Sequence, residues 1–133
     1  MIEELKKRNI EARETSRGVM VNLPSVNFQF DSAEMTPDGR DRVNQIATIV
    51  KRDAPGRRIT VEGHASRESA SNETYNQQLS ERRANTVANS LERNGVDGRQ
   101  ISSRGLGTRS PVATNDSEDG RRQNRRVEVI IEN

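Results

Sequence analysis

Gly63-His64-Ala65-Ser66-Arg67-Glu68-Ser69-Ala70-Ser71-Asn72-Glu73-Thr74-Tyr75-Asn76-Gln77-Gln78-Leu79-Ser80-Glu81-Arg82-Arg83-Ala84 is the stretch whose reading decides the fold. It takes over from a β-run at Ile59 and Val61 and crosses a small polar loop. It then becomes a helix whose apolar stripe is Leu79, Ala84, Val87, Ala88 and Leu91. At about 100° per residue those positions fill one arc of the helix. Asn76, Ser80 and Arg83 fall inside the same arc, whereas Arg82 points well outside it. The adjacent arginines therefore have different jobs. A guanidinium on a core-facing arc is expensive unless it is paired, so Arg83 is expected to meet something anionic. An internal carboxylate, Asp31 or Glu62, would serve, and so would a ligand.

Working outward, Val19, Val21 and Leu23 alternate after a Ser16-Arg17-Gly18 turn, and Val26, Phe28 and Phe30 alternate again beyond Pro24. Both runs read as half-buried strands forming a leading hairpin. Thr36-Pro37-Asp38 is a helix start, with a capping threonine, proline at the first helical position and an acid in the first turn. Val43, Ile46, Ala47 and Val50 carry that helix, and Pro55-Gly56 stops it. Ile59 to Gly63 is a strand, and Tyr75 to Arg93 is a helix closed by Asn94-Gly95. A short strand is expected near Ile101 to Ser103, a short helix over Ser117 to Gln123, and a closing strand through Val127, Val129 and Ile131. Strand-helix-strand units of this kind give an α+β sandwich, with helices on one face of a sheet. Residues 1–15 read as a linker or short N-terminal helix and 16–133 as the domain.

Composition narrows the function classes. The chain has 133 residues, with 22 basic against 20 acidic side chains and a net charge of +2. That is one domain's worth, with room for a single modest core. The small basic surplus and the two Phe, one Tyr and no Trp leave no base-stacking platform for a nucleic-acid binder. Cysteine is absent, which excludes a disulfide frame, a thiolate metal site and a thiol nucleophile. A lone histidine, His64, rules out multi-histidine metal sites, and no cofactor motif is present. Gly105-Leu106-Gly107 lacks the full glycine spacing of a nucleotide fingerprint and reads as a turn. No acid/base pair compels an enzymatic reading, and His64 reads as structural at its strand end. The opening Met1-Ile2-Glu3-Glu4-Leu5-Lys6-Lys7 lacks the apolar centre of a signal peptide. Either the chain is cytosolic or its targeting and anchoring segments lie elsewhere.

Five stretches carry a family resemblance. They are Val26-Asn27-Phe28-Gln29-Phe30-Asp31-Ser32, Val61-Glu62-Gly63-His64-Ala65, the segment from Tyr75 to Ala84, Gly105-Leu106-Gly107 with Pro111, and Asn124-Arg125-Arg126-Val127-Glu128. In this order, spanning about residues 19 to 131, the chain resembles an OmpA-like carboxy-terminal domain. That is the peptidoglycan-associating module also found in Pal-type lipoproteins and flagellar stator proteins. The resemblance implies an OmpA-like two-layer sandwich with a mixed four-stranded sheet. It also implies non-catalytic binding of the peptidoglycan stem peptide through diaminopimelate, in the periplasm, with a tether to the outer membrane through a segment upstream. Envelope proteins are further partners in this reading, and nucleic acid is not.

By position in the motif, Arg83 grips a ligand carboxylate, Asn76 adds a hydrogen bond and Arg125 approaches from the Asn-Arg-Arg turn. Ala65, Ser66, Glu68, Leu79 and Asp31 complete the implied ligand-binding set, Asp31 either touching ligand or capping a turn. One departure stands out. Family members usually carry Asp where this chain has Ser66, and the loop from Gly63 to Asn76 is about two residues longer. Exchanging a charge-assisted contact for a neutral one weakens it on the order of tenfold. Either Glu68 supplies the missing carboxylate, or Ser66 marks a weakened or altered site in a domain with a structural or interaction role.

Overall fold

The computed structural model of the chain describes residues 1–67 and 72–133. Its strands are β1 (Glu11–Thr15), β2 (Gly18–Pro24), β3 (Ile59–His64), β4 (Ile101–Gly105) and β5 (Arg126–Glu132). They form one mixed sheet in the order β1-β2-β5-β3-β4, with β3 and β4 parallel and the other neighbours antiparallel. The helices are α1 (Ile2–Lys7), α2 (Pro37–Asp53), α3 (Glu73–Arg93) and α4 (Glu118–Asn124). The α+β class is as expected, but the sheet has five strands and not four. The extra one is β1, which lies inside the segment read as a linker or short helix. Its sequence, Glu-Ala-Arg-Glu-Thr, buries only Ala12 well, so an edge strand forms without the alternating apolar signal.

The second correction concerns residues 26–30. They are not a strand, and the leading hairpin joins β1 to β2. Beyond Pro24 the chain makes a 3-10 turn, Ser25–Asn27, anchored where Ser25 N donates to the Arg125 carbonyl at 3.1 Å. Phe28 then meets Met35 in an isolated antiparallel bridge. The turn breaks the common face that the alternation implies: Phe28 is buried, whereas Val26 and Phe30 are exposed.

The Thr36-Pro37 start acts as read, and α3 begins two residues before the expected Tyr75, at Glu73. Thr36 Oγ1 accepts from Gly39 N at 3.0 Å with Pro37 in the first turn of α2, and Asn72 Oδ1 accepts from Tyr75 N at 3.0 Å to cap α3. The core lies between the sheet and α2 and α3. Val61, Val127, Val129 and Ile131 meet Val43, Ile46, Val87 and Leu91 there. Each wholly buried aliphatic side chain contributes about 1.5–3 kcal/mol relative to exposure. Two glycines bring α3 down onto the sheet. A Cβ on Gly63 would collide with the Ser80 carbonyl oxygen, and one on Gly105 would lie 2.5 Å from Glu81 N. That close approach sets Ser80 and Arg83 at the end of β3.

Candidate functional site

The loop after β2, the exit of β3, the first half of α3 and the α4 region enclose a cavity of about 1090 Å³. Of the eight residues expected to bind ligand, seven line it: Asp31, Ala65, Ser66, Asn76, Leu79, Arg83 and Arg125. The eighth, Glu68, lies outside the described residues. Helix phase, the Gly63 contact and the return of β5 beside β3 therefore gather residues nearly a hundred positions apart in the chain.

Arg83 is 7% exposed. Its Nε donates to the Ser32 carbonyl at 2.8 Å, and its guanidinium lies 5.1 Å from the centre of the Phe28 ring. Among the described residues no carboxylate pairs with it, neither Asp31 nor Glu62. Burial pulls its pKa below the ordinary arginine value, and Arg125 adds to that pull; the charges of Asp31 and Tyr75 oppose it. Two turns earlier on the same helix, Asn76 Nδ2 is buried and, among the described residues, has no hydrogen-bond partner. Among the described residues, a cation without a carboxylate partner and a donor without an acceptor thus line the same cavity, each at a cost of desolvation.

The negative pole is smaller. Asp31 sits in the left-handed region at φ 52°, a conformation aspartate tolerates better than most residues. Its carboxylate accepts from Tyr75 Oη at 2.7 Å, which raises the phenol pKa. Glu118 also lines the cavity, but arginines already hold it. Arg125 Nη2 donates to it at 2.6 Å and Arg121 Nη2 lies at 3.3 Å, and together they lower its pKa. Arg125 Nη1 reaches Ser66 Oγ at 3.3 Å, so this guanidinium bridges Ser66 and Glu118. Ser66 itself is buried.

Asn124 and Arg126 hold the surroundings in place. Asn124 Oδ1 accepts from Val112 N at 2.8 Å and Ala113 N at 2.9 Å, locking the loop before α4. Arg126 turns away from Arg125, as alternation along a strand requires. It donates to Glu128 at 2.8 Å and to the Ser110 carbonyl at 3.0 Å. Gly105-Leu106-Gly107 is a turn that fixes the β3 exit: Leu106 N donates to Gly63 O and Ala65 N to Gly107 O, each at 2.8 Å.

Ligand atoms of Glu62, His64 and Glu128 lie within 4.8 Å of one another, the spacing of a cation site. Arginines already serve both carboxylates, which argues against a metal there. Glu62 receives Arg17 at 3.1 Å and Arg104 at 2.5 Å, and Glu128 receives Arg126. His64 Nε2 stands 3.5 Å from Glu128 Oε1. Burial alone would raise the Glu128 pKa, but His64 and Arg126 outweigh it and hold the carboxyl at about 2. Sequence reasoning missed Phe28 as the floor under Arg83, Tyr75 as the partner of Asp31 and Glu118 as the partner of Arg125. The Ser117 cap, whose Oγ accepts from Gly120 N at 3.0 Å, was the one legible sign that Glu118 begins a helix.

The family model "OmpA family" matches residues 27–125, more than half of the chain. The probable lipoprotein YiaD of Escherichia coli is 30% identical over 130 residues, 97% of this chain and 58% of that protein. The peptidoglycan-binding protein ArfA of Mycobacterium tuberculosis is 35% identical over 106 residues, 80% of this chain and 32% of that protein. The chain thus spans well under two thirds of either relative. Among solved structures, the periplasmic domain of Helicobacter pylori MotB superposes with a TM-score of 0.80 at 27% identity, covering 92% of this chain and 81% of that one. With the family model matched over most of the chain and the fold shared with the MotB periplasmic domain, the chain belongs to the OmpA family.

Proposed function

We propose that this domain binds the stem peptide of peptidoglycan without catalysis and anchors an envelope protein to the cell wall. The zwitterionic end of diaminopimelate fits the two poles of the cavity. Its carboxylate meets the Arg83 guanidinium and Asn76 Nδ2, and its ammonium meets Asp31. Arg125 and Ser66 border the carboxylate side, and Ala65 and Leu79 form the wall against the ligand's methylene chain. One observation carries the reading: Arg83 is buried and, among the described residues, has no carboxylate partner. A bidentate ligand carboxylate suits the fixed fork of a guanidinium. The membership of ArfA and of the MotB periplasmic domain among its relatives supports a wall-binding, periplasmic role. A tether to the outer membrane belongs to the same proposal, supported by the lipoprotein relative.

Ser66 favours a second reading, a domain of altered affinity with a structural or interaction role. It is buried and engaged by Arg125, leaving no acid where family members usually carry one. Cosedimentation with purified peptidoglycan sacculi separates the two. The first reading expects saturable retention by the wild-type domain and loss of retention in Arg83→Ala. No retention of the wild-type domain favours the second.

A further inference from the structure

The chain has two Phe, one Tyr and no Trp, and all three aromatic rings line the one cavity. Two of them have evident tasks: Phe28 lies under Arg83, and Tyr75 donates to Asp31. Phe30 has no such task. It is 98% exposed and stands beside Val26, 75% exposed, at the cavity wall. Folding does not require it there, since Phe28 takes the inward position of that run. An exposed ring with an exposed branched side chain at the cavity wall offers a surface for contact. The cavity volume, about 1090 Å³, is also at the upper end of what a drug-sized ligand fills and exceeds the need of one amino-acid end.

We propose that Phe30, with Val26, is the platform for a sugar ring of the glycan strand that carries the stem peptide. This rests on the peptidoglycan reading above. A pyranose presents a face of partly positive C–H bonds, which complements the negative face of an aromatic ring. An aliphatic peptide side chain would instead seek a concave pocket, whereas a fully exposed ring is a flat surface. The neighbours are suited to sugar hydroxyls as well. Ser25 and Gln29 line the same wall and bring neutral hydrogen-bonding side chains.

Calorimetry with two ligands tests the assignment: a diaminopimelate-containing stem peptide without sugar, and the same peptide carrying its disaccharide. The wild-type domain is expected to bind the second roughly fivefold more tightly, and Phe30→Ala to bring that ratio to about one. Because Phe30 is exposed, the variant is expected to keep the wild-type melting temperature, checked by circular dichroism. A wild-type ratio of one, or a ratio that survives Phe30→Ala, overturns the platform and leaves the peptide reading standing. Equal weakening of both ligands by Phe30→Ala means that the ring touches peptide, which also overturns it. Failure of either ligand to bind the wild-type domain removes the peptide reading and the platform with it.

Discussion

Glu62 and Arg83 are both buried charges, 2% and 7% exposed, and they belong to elements packed directly on one another, β3 and α3. Their surroundings differ completely. Glu62, on the sheet face away from the core, receives guanidinium groups from Arg17 and Arg104. Arg83 has a backbone carbonyl, a ring and an open cavity. A buried charge that the fold itself satisfies is architecture, whereas one left without a carboxylate partner is a candidate binding group.

Breaking the comparison at Arg83 should have the largest effect. Arg83→Ala is expected to reduce affinity for a diaminopimelate peptide by at least about 30-fold, since truncating one partner of a buried charged contact costs 2 kcal/mol or more. Thermal stability should hold, because the variant removes a charge that has no carboxylate partner among the described residues. A large fall in melting temperature would instead reveal an internal role for Arg83.

The architectural side should respond to acid. With its folded pKa held at about 2 against an ordinary 4.5, Glu128 contributes stability that is complete above pH 4.5 and is lost as pH falls toward 2. The loss should reach up to about 3 kcal/mol. Thermal melts across that range should show it, and Glu128→Gln should flatten the acid limb. Glu62, also held low against the opposing effect of burial, adds to the same limb. Glu62→Gln is expected to cost about 1–2 kcal/mol in chemical denaturation, a modest figure because Arg17 and Arg104 are half exposed and can turn to water. Its ligand affinity should match wild type. The smallest effect sharpens the site itself: Ser66→Asp should strengthen peptide binding by up to about tenfold, measured by calorimetry.

Much of this contrast was legible in the chain. Helix phase alone separated Arg83 from Arg82, one buried and the other exposed, because an amphipathic helix leaves little freedom at 100° per residue. The Thr36 cap located the start of α2, because an orphan N–H needs a local oxygen. The edge strand β1 was not legible, since a strand paired on one side needs little apolar pattern. Phe30 was misassigned because the 3-10 turn at Ser25–Asn27 and the single Phe28–Met35 bridge replace the strand, so the i, i+2, i+4 spacing does not set one face. The partners of Glu62, Asp31 and Arg125 join residues distant in sequence, and no local spacing encodes them.

The most direct test of the central claim is a heteronuclear NMR titration of the domain with a soluble muropeptide containing diaminopimelate, run beside one containing lysine. Lysine lacks the terminal carboxylate that Arg83 is proposed to hold. Saturable shifts at Ser66, Asn76, Arg83 and Arg125, clearly stronger for diaminopimelate, are the predicted result. Equal responses to both peptides, or no shifts at millimolar ligand, would contradict it.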